Sequence, residues 1–266
     1  MGITIKSQEE IAKMRIAGKL AADVLEMIAE HVKAGISTDE LNTLCAEYTD
    51  KVQDAISAPL NYHDFPKSIC TSVNHVVCHG IPNDTVLCDG DIINIDITVI
   101  KDGYHGDTSK MFIIGEGSPE DNRLCRITQE SLYLALKKVK PGATFGEIGT
   151  TIQKFTKKSK NNLGKYSIVE EYCGHGIGKV FHEEPQIVHY KNNDKTKMEV
   201  GMCFTIEPMI NLGKASTILD KTDNWTVYTT DGKKSAQWEH TIVVTPTGCE
   251  ILTLRNEESI PRLLHN

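Results

Sequence analysis

A nine-residue pattern, K-x-G-x-[ST]-x-x-E-[LI], occurs at Lys33–Leu41 and again 107 positions later at Lys140–Ile148. In each copy a hydroxyl residue stands three places before a glutamate, Ser37 before Glu40 and Thr144 before Glu147. This is the signature of a capping box that opens a helix, and the glycine just ahead reads as the end of the preceding helix. Upstream of the first copy, residues 7–32 place Ile11, Met14, Ala21, Val24, Leu25, Ile28 and Val32 at helical spacing behind a Ser7–Glu10 capping box, which predicts an amphipathic helix. Strand patterns repeat as well. The chain therefore reads as a single domain, 1–266, made of two related halves, about 1–115 and 116–266, with Ser118-Pro119 opening the first helix of the second half.

The repeated strands carry acids. Gly90-Asp-Ile-Ile-Asn-Ile-Asp96-Ile-Thr-Val alternates apolar and polar residues and so sets Asp96 opposite the isoleucine face. Gly201-Met-Cys-Phe-Thr-Ile-Glu207 has the same form, and each carboxylate falls six residues after its glycine. Each half then offers a second acid at a β-rich segment, Asp107 before Thr-Ser-Lys-Met-Phe-Ile-Ile and Glu239 before His-Thr-Ile-Val-Val. Packed about a pseudo-two-fold axis, Asp96, Asp107, Glu207 and Glu239 would converge, and four carboxylates in one partly dry cleft cannot all stay ionised without added positive charge. Two divalent cations supply it. An imidazole would complete the site: His175, among the small residues of Cys173-Gly-His-Gly-Ile-Gly178, is the best candidate, and His79 has a similar setting. Such an oxygen-rich set suits Co, Mn, Fe(II) or Zn without choosing among them.

Other chemistries find little support. His182-Glu183-Glu184-Pro185 lacks the second histidine of a zincin, since Gln186 occupies that place. Neither a G-x-S-x-G elbow nor a P-loop is present. Eight scattered cysteines without a CxxC pair fit reduced thiols in a cytoplasmic protein, with Cys70 and Cys78 read as buried thiols rather than nucleophiles. A net charge of −7 argues against nucleic acid as the main partner, and the local run Lys157, Lys158, Lys160 and Lys165 reads as a solvated loop. The opening residues carry no signal-peptide run, no window approaches a membrane span, and Lys6 stands where a myristoylation motif wants Ser or Thr.

Along essentially its whole length the chain resembles the type I methionine aminopeptidases. The resemblance lies in Tyr62-His-Asp-Phe-Pro-Lys-Ser-Ile-Cys70, Asn74-His-Val-Val-Cys-His79-Gly-Ile-Pro82, Asn94-Ile-Asp96, Gly106-Asp107-Thr108, Gly174-His175-Gly-Ile-Gly178, Phe181-His182-Glu-Glu-Pro185, Phe204-Thr-Ile-Glu207-Pro208 and Gln237-Trp-Glu239-His240. It implies an α/β (α+β) "pita-bread" fold, two pseudo-symmetric halves around a curved antiparallel sheet with helices outside. It also implies two divalent metals: His175 and Glu207 would bind one, Asp96 the other, and Asp107 and Glu239 would bridge. By the same likeness Glu207 would shuttle the proton, with His79 and His182 beside the metals contacting the scissile amide and its carbonyl, and Tyr62, Phe65, Cys70, Phe181 and Trp225 would line a methionine pocket. The expected reaction removes an initiator methionine that precedes a small residue, and the expected partners are nascent polypeptide N-termini, with a transient ribosome contact through the lysine run. A monomer is expected. Pro59 and Phe65 depart from the Cys and Tyr of many bacterial relatives, which bears on the pocket rim and not on the metal ligands. Two alternatives are an Xaa-Pro aminopeptidase or prolidase, which shares this catalytic fold but usually carries an extra N-terminal domain, and a non-catalytic adaptor, which would tend to lose ligands.

Overall fold

The computed structural model describes residues 2–159 and 165–266, so Lys160 lies outside the described residues. Two sheets carry the molecule. In the first, β1 (Ile56–Ser57) and β2 (Cys70–Val73) pair with the long β4 (Ile92–Lys101), which also pairs with β5 (Tyr104–Ile113). The second runs in the order β16 (Leu263–His265), β15 (Gly248–Ile251), β14 (His240–Thr245), β9 (Cys203–Ile206), β7 (Gly174–Gly176) and β8 (Glu183–Ile187). Two three-stranded sheets join in: β13 (Ser235–Gln237), β10 (Met209–Asn211) and β6 (Ser167–Ile168); and β11 (Thr217–Leu219), β12 (Val227–Thr229) and β3 (Val76–Cys78). Among the described residues every strand pairing is antiparallel.

Among the described residues four α-helices cover these layers: α1 (Gln8–Ile28), α2 (Thr38–Glu47), α3 (Pro119–Leu136) and α4 (Phe145–Lys158). Ser7 and Glu10 cap α1 reciprocally, Ser37 and Glu40 cap α2, and Ser118 with Asp121 caps α3 around Pro119. Ala21, Val24, Leu25 and Ile28 of α1 pack against Ile93, Ile95, Ile97 and Val99 of β4, the apolar half of the alternation. Leu124, Leu132 and Leu136 of α3, with Phe145, Ile148 and Ile152 of α4, bury the outer face of β9, β14 and β15 in the same way. Each fully buried side chain of this kind contributes about 1.5–3 kcal/mol. Among the described residues no helix is long and apolar enough to cross a membrane.

The structure departs from expectation at three points. Helix α1 stops at Ile28, and Val32 packs on the core from the turn beyond it. Neither repeat glycine is a helix cap: α1 and α3 have already ended when the chain reaches Gly35 and Gly142, each at positive φ in a clip to the far end of its half. Gly35 donates to the Leu87 carbonyl and Leu87 to Ile36; Gly142 donates to Met198 and Met198 to Ala143. A tie between strand entry and helix entry is thus what the repeated motif encodes. Lastly, Lys157 and Lys158 form the last turn of α4 rather than a loop, where cations suit the carbonyl end of the helix dipole.

Helix α1 crosses β5 with almost no gap. A Cβ at Gly106 would lie 2.3 Å from the Gly18 nitrogen and 2.4 Å from the Ala17 carbonyl carbon, backbone atoms that cannot swing aside. Replacing Gly106 with Ala is expected to cost about 1–3 kcal/mol as an overpacking change, seen as a fall in Tm by calorimetry; an unchanged Tm would show that the helix can lift from the strand.

Candidate metal centre

Asp96 sits mid-strand on β4, where its Cα partners are Ser109 on β5 and Cys70 on β2. Asp107 lies two places along β5, opposite Thr98, so the two acids are diagonal neighbours on the face away from α1. In the second half β9 pairs with β14 (Ile206 opposite His240) and β10 with β13 (Met209 opposite Gln237) in one continuous register. Glu207 and Glu239 face each other in the gap between these ladders, where Pro208 has no N–H to donate. The second carboxylates of the two halves therefore differ in register by two residues, which spacing alone does not reveal.

Strand β5 runs past the start of β14 and the residue before it, joined there by side-chain and backbone hydrogen bonds. Thr241 Oγ1 accepts from the Asp107 N–H at 3.1 Å and donates to the Asp107 carbonyl at 2.8 Å. Glu239 N–H donates to the Ser109 carbonyl, and Thr108 Oγ1 donates to the Glu239 carbonyl at 2.8 Å. This seam brings all four acids to one cleft of about 660 Å³. The same cleft is lined by the expected ligand, catalytic and pocket residues: Tyr62, Phe65, Cys70, His79, Asp96, Asp107, His175, Phe181, His182, Glu207, Trp225 and Glu239.

His175 Nε2 lies 3.5 Å from Asp107 Oδ2 and 3.6 Å from Glu207 Oε1. One ligand atom each from Asp107, His175 and Glu239 fall within 4.8 Å of one another. Oδ1 of Asp96 is buried with no hydrogen-bond partner among the described residues. Three other oxygens are held from behind: Thr98 Oγ1 donates to Asp107 at 2.8 Å, Thr205 Oγ1 to Glu207 at 2.8 Å and Gln237 Nε2 to Glu207 at 3.2 Å. Thr205 Oγ1 also accepts from the His175 N–H at 3.0 Å, so one hydroxyl sets two candidate ligands. His189, unremarked in the sequence, accepts from the Glu207 N–H at 3.1 Å; burial pushes its imidazole down to about 3, and only the neutral ring has a lone pair to offer.

The electrostatics match the geometry. Burial, then the charges of its neighbours, drives Asp96 and Glu239 well above the usual carboxylate range. Burial raises Glu207 to about 7 against the pull of His175. Burial works against His175 too, but its contact with Asp107 and the nearby Glu207 outweigh it and hold the ring above its ordinary value. His79 is pushed down to about 4 by burial. His182 is also lowered, by burial and then by His175, although the residue is exposed and burial counts for less there. An orphaned carboxylate oxygen, raised acids and a donor set of four carboxylates, one imidazole and no thiolate fit hard-to-borderline divalent cations.

The pocket walls are aromatic. Phe65 meets Trp225 edge-on at 5.2 Å, Tyr62 lies 4.9 Å from Phe181, and His79 touches Trp225 and Tyr172 edge-on at 6.0 and 5.6 Å. Asn61, His63 and Asp64 around Tyr62 all have positive φ, as does His79. Such residues cost on the order of 1–3 kcal/mol each and persist where surrounding contacts enforce them.

A curved antiparallel platform, acids at its centre and helices outside define a metal-dependent peptidase class. The model of metallopeptidase family M24 matches residues 12–246. The chain belongs to that family, and within it to the methionine aminopeptidases. It is 58% identical over 266 residues to the methionine aminopeptidase of Escherichia coli (strain K12), covering 99% of this chain and 98% of that one. The crystal structure of methionine aminopeptidase from Rickettsia prowazekii superposes with a TM-score of 0.91 at 50% identity, covering 95% of this chain and all of that one. The prolidase from Pyrococcus furiosus shares the fold alone, with a TM-score of 0.74 at 23% identity and 66% of its length covered. The fold is the pita-bread fold, and the family implies a divalent metal.

Glu207 has a consequence that can be measured. Its raised pKa means that, without metal, its contribution to stability is full below the usual carboxylate range and is lost as pH rises through about 7; a bound cation reverses this by favouring the ionised form. Titrating Mn(II) into chelator-treated protein just below neutrality is expected to release protons, read as calorimetric heats that scale with the ionisation enthalpy of the buffer. Apparent affinity is expected to fall with falling pH, and heats independent of buffer would contradict the raised carboxylates.

Proposed function

We propose that this chain hydrolyses the N-terminal Met-Xaa amide of peptides and nascent proteins, with Xaa small and uncharged, using two divalent cations. The observation that carries the reading is the convergence of four carboxylates and one imidazole on the floor of a cleft whose wall is Tyr62, Phe65, Cys70, Phe181 and Trp225. We assign His175 and Glu207 to one cation and Asp96 to the other, with Asp107 and Glu239 bridging; Co, Mn, Fe(II) and Zn all suit these donors. The same reading treats the two halves, about 1–115 and 116–266, as copies of one unit in one domain.

Bound cations supply Lewis acidity and a water acidic enough to act near neutral pH. Around them the side chains orient the substrate and move protons. Glu207, held ionised beside a cation, takes the proton of the attacking water and returns it to the leaving amine. Neutral His79 contacts the scissile nitrogen, and neutral His182 donates a hydrogen bond to the carbonyl oxygen as negative charge builds there. An unbranched, polarizable methionine side chain fills an aromatic-walled pocket well.

Met-Ala-Ser is expected to be cleaved, Met-Lys-Ser and Ala-Pro peptides to resist. Equal cleavage of the two Met peptides would remove the size filter, and preference for Ala-Pro would return the chain to the prolidase reading. Replacing His79 with Ala is expected to lower kcat by roughly 10²–10⁴-fold at unchanged metal content; parallel loss of metal would make it a ligand instead.

The eight cysteines are free thiols, which supports a cytoplasmic setting. A transient ribosome contact through Lys157, Lys158, Lys160 and Lys165 belongs to the same reading. Reversing the four charges is expected to lower co-sedimentation with ribosomes, and unchanged co-sedimentation dismisses the contact.

A further inference from the structure

His182 has two ring nitrogens, and one is occupied. Tyr62 Oη lies 2.8 Å from Nδ1 and makes no other hydrogen bond among the described residues. One face of the imidazole is also packed: Phe181 stacks on it at 4.2 Å and 22°, and Phe181 in turn stacks on His105 at 5.4 Å and 20°. The His175 ring lies 4.2 Å away, so His182 cannot swing toward the metal-site acids without displacing a candidate ligand. Tyr62 itself is aimed by a tight turn, its N–H donating to the Pro59 carbonyl and its own carbonyl accepting from Phe65 N–H.

A neutral imidazole carries one N–H, and the hydrogen bond made by one nitrogen decides which nitrogen holds it. A phenol is a strong donor and a weak acceptor compared with an imidazole lone pair, so the favoured pairing is Oη–H donating to Nδ1. The proton then sits on Nε2. We propose that Tyr62 is a positioning residue that fixes His182 as the Nε2–H tautomer, so that the ring presents a donor, not a lone pair, to the substrate carbonyl. The inference rests on the carbonyl-donor reading of His182. It separates two roles within one side chain: the ring of Tyr62 is pocket wall, and the hydroxyl belongs to the catalytic geometry.

Tyr62→Phe keeps the wall and removes the hydroxyl. In zinc-loaded, ¹⁵N-histidine-labelled enzyme, with His182 signals identified by their loss in His182→Gln, the parent is expected to show protonated Nε2 and unprotonated Nδ1, and Tyr62→Phe a tautomer mixture. On Met-Ala-Ser, kcat is expected to fall about 10-fold to 100-fold, less than the roughly 10²–10³-fold for outright loss of such a donor. KM should stay within about threefold, metal content should not change, and Tyr62→Phe should cost nothing more in the His182→Gln background. A parent with the Nδ1–H tautomer, or a Tyr62→Phe enzyme whose tautomer and kcat match the parent while KM alone rises, overturns the proposal. Normal turnover by His182→Ala, which has no donor, would instead strike at the carbonyl-donor reading, while loss of the Nε2–H tautomer in Tyr62→Phe would still uphold the role of the hydroxyl in orienting the ring.

Discussion

Carboxylates packed into a cleft of low polarity repel one another, and containing that repulsion is the task the rest of this structure serves. Each acid is mounted on or beside a strand whose other face is buried under helices, so none can relax into solvent without unpicking a sheet. Threonine hydroxyls and Gln237 hold single oxygens in place and leave others free. Such a floor is satisfied by protons when metal is scarce and by cations when it is present. The same burial that raises Asp96, Glu207 and Glu239 is thus what leaves the cleft in want of positive charge.

Behind the floor lies a second buried ionic group that keeps the seam between the halves closed. Arg255, without exposed side-chain surface, donates to Thr108 Oγ1 at 2.7 Å, and Thr108 in turn donates to the Glu239 carbonyl. Glu258 lies 3.2 Å from Arg255 Nη2, pairs with His240 at 3.0 Å and accepts from Tyr133 of α3 at 2.6 Å. The positive charge of Arg255 is felt at Glu239, where it opposes the rise that burial causes. A wholly buried pair is poor evidence for stability, since desolvation offsets its attraction. Its evident use here is register: it ties the strand of Asp107, the residue after Glu239 and helix α3 to one point.

Legibility in the sequence followed the range of the interaction. Asp96 and Glu207 could be found because a glycine and a strand period lie within six residues of each. The capping boxes of α1 and α2 were local too, and the structure places them as read. By contrast, the use of Gly35 and Gly142 as clips depends on Leu87 and Met198, dozens of residues away, so a helix-cap reading was the natural local one. The offset between Asp107 and Glu239 arises from strand register, which spacing does not encode. His189 and Thr205 act on Glu207 and His175 through contacts that a lone histidine or threonine does not advertise. The Tyr62–His182 pair spans 120 residues; the likeness to relatives placed both residues at the site and was silent on the bond between them.

The near-contact of α1 with β5 at Gly18 and Gly106 divides the labour of the cleft. With backbone resting on backbone, the strand bearing Asp107 has no intervening side chain whose size could be adjusted to move it. The opposite wall is built from turns, with Tyr62 between left-handed residues and Trp225 just after one. Variation among descendants of such a scaffold is therefore channelled: substitutions in the turns can reshape what the enzyme accepts, while the strand of Asp107 stays where the glycine crossing puts it.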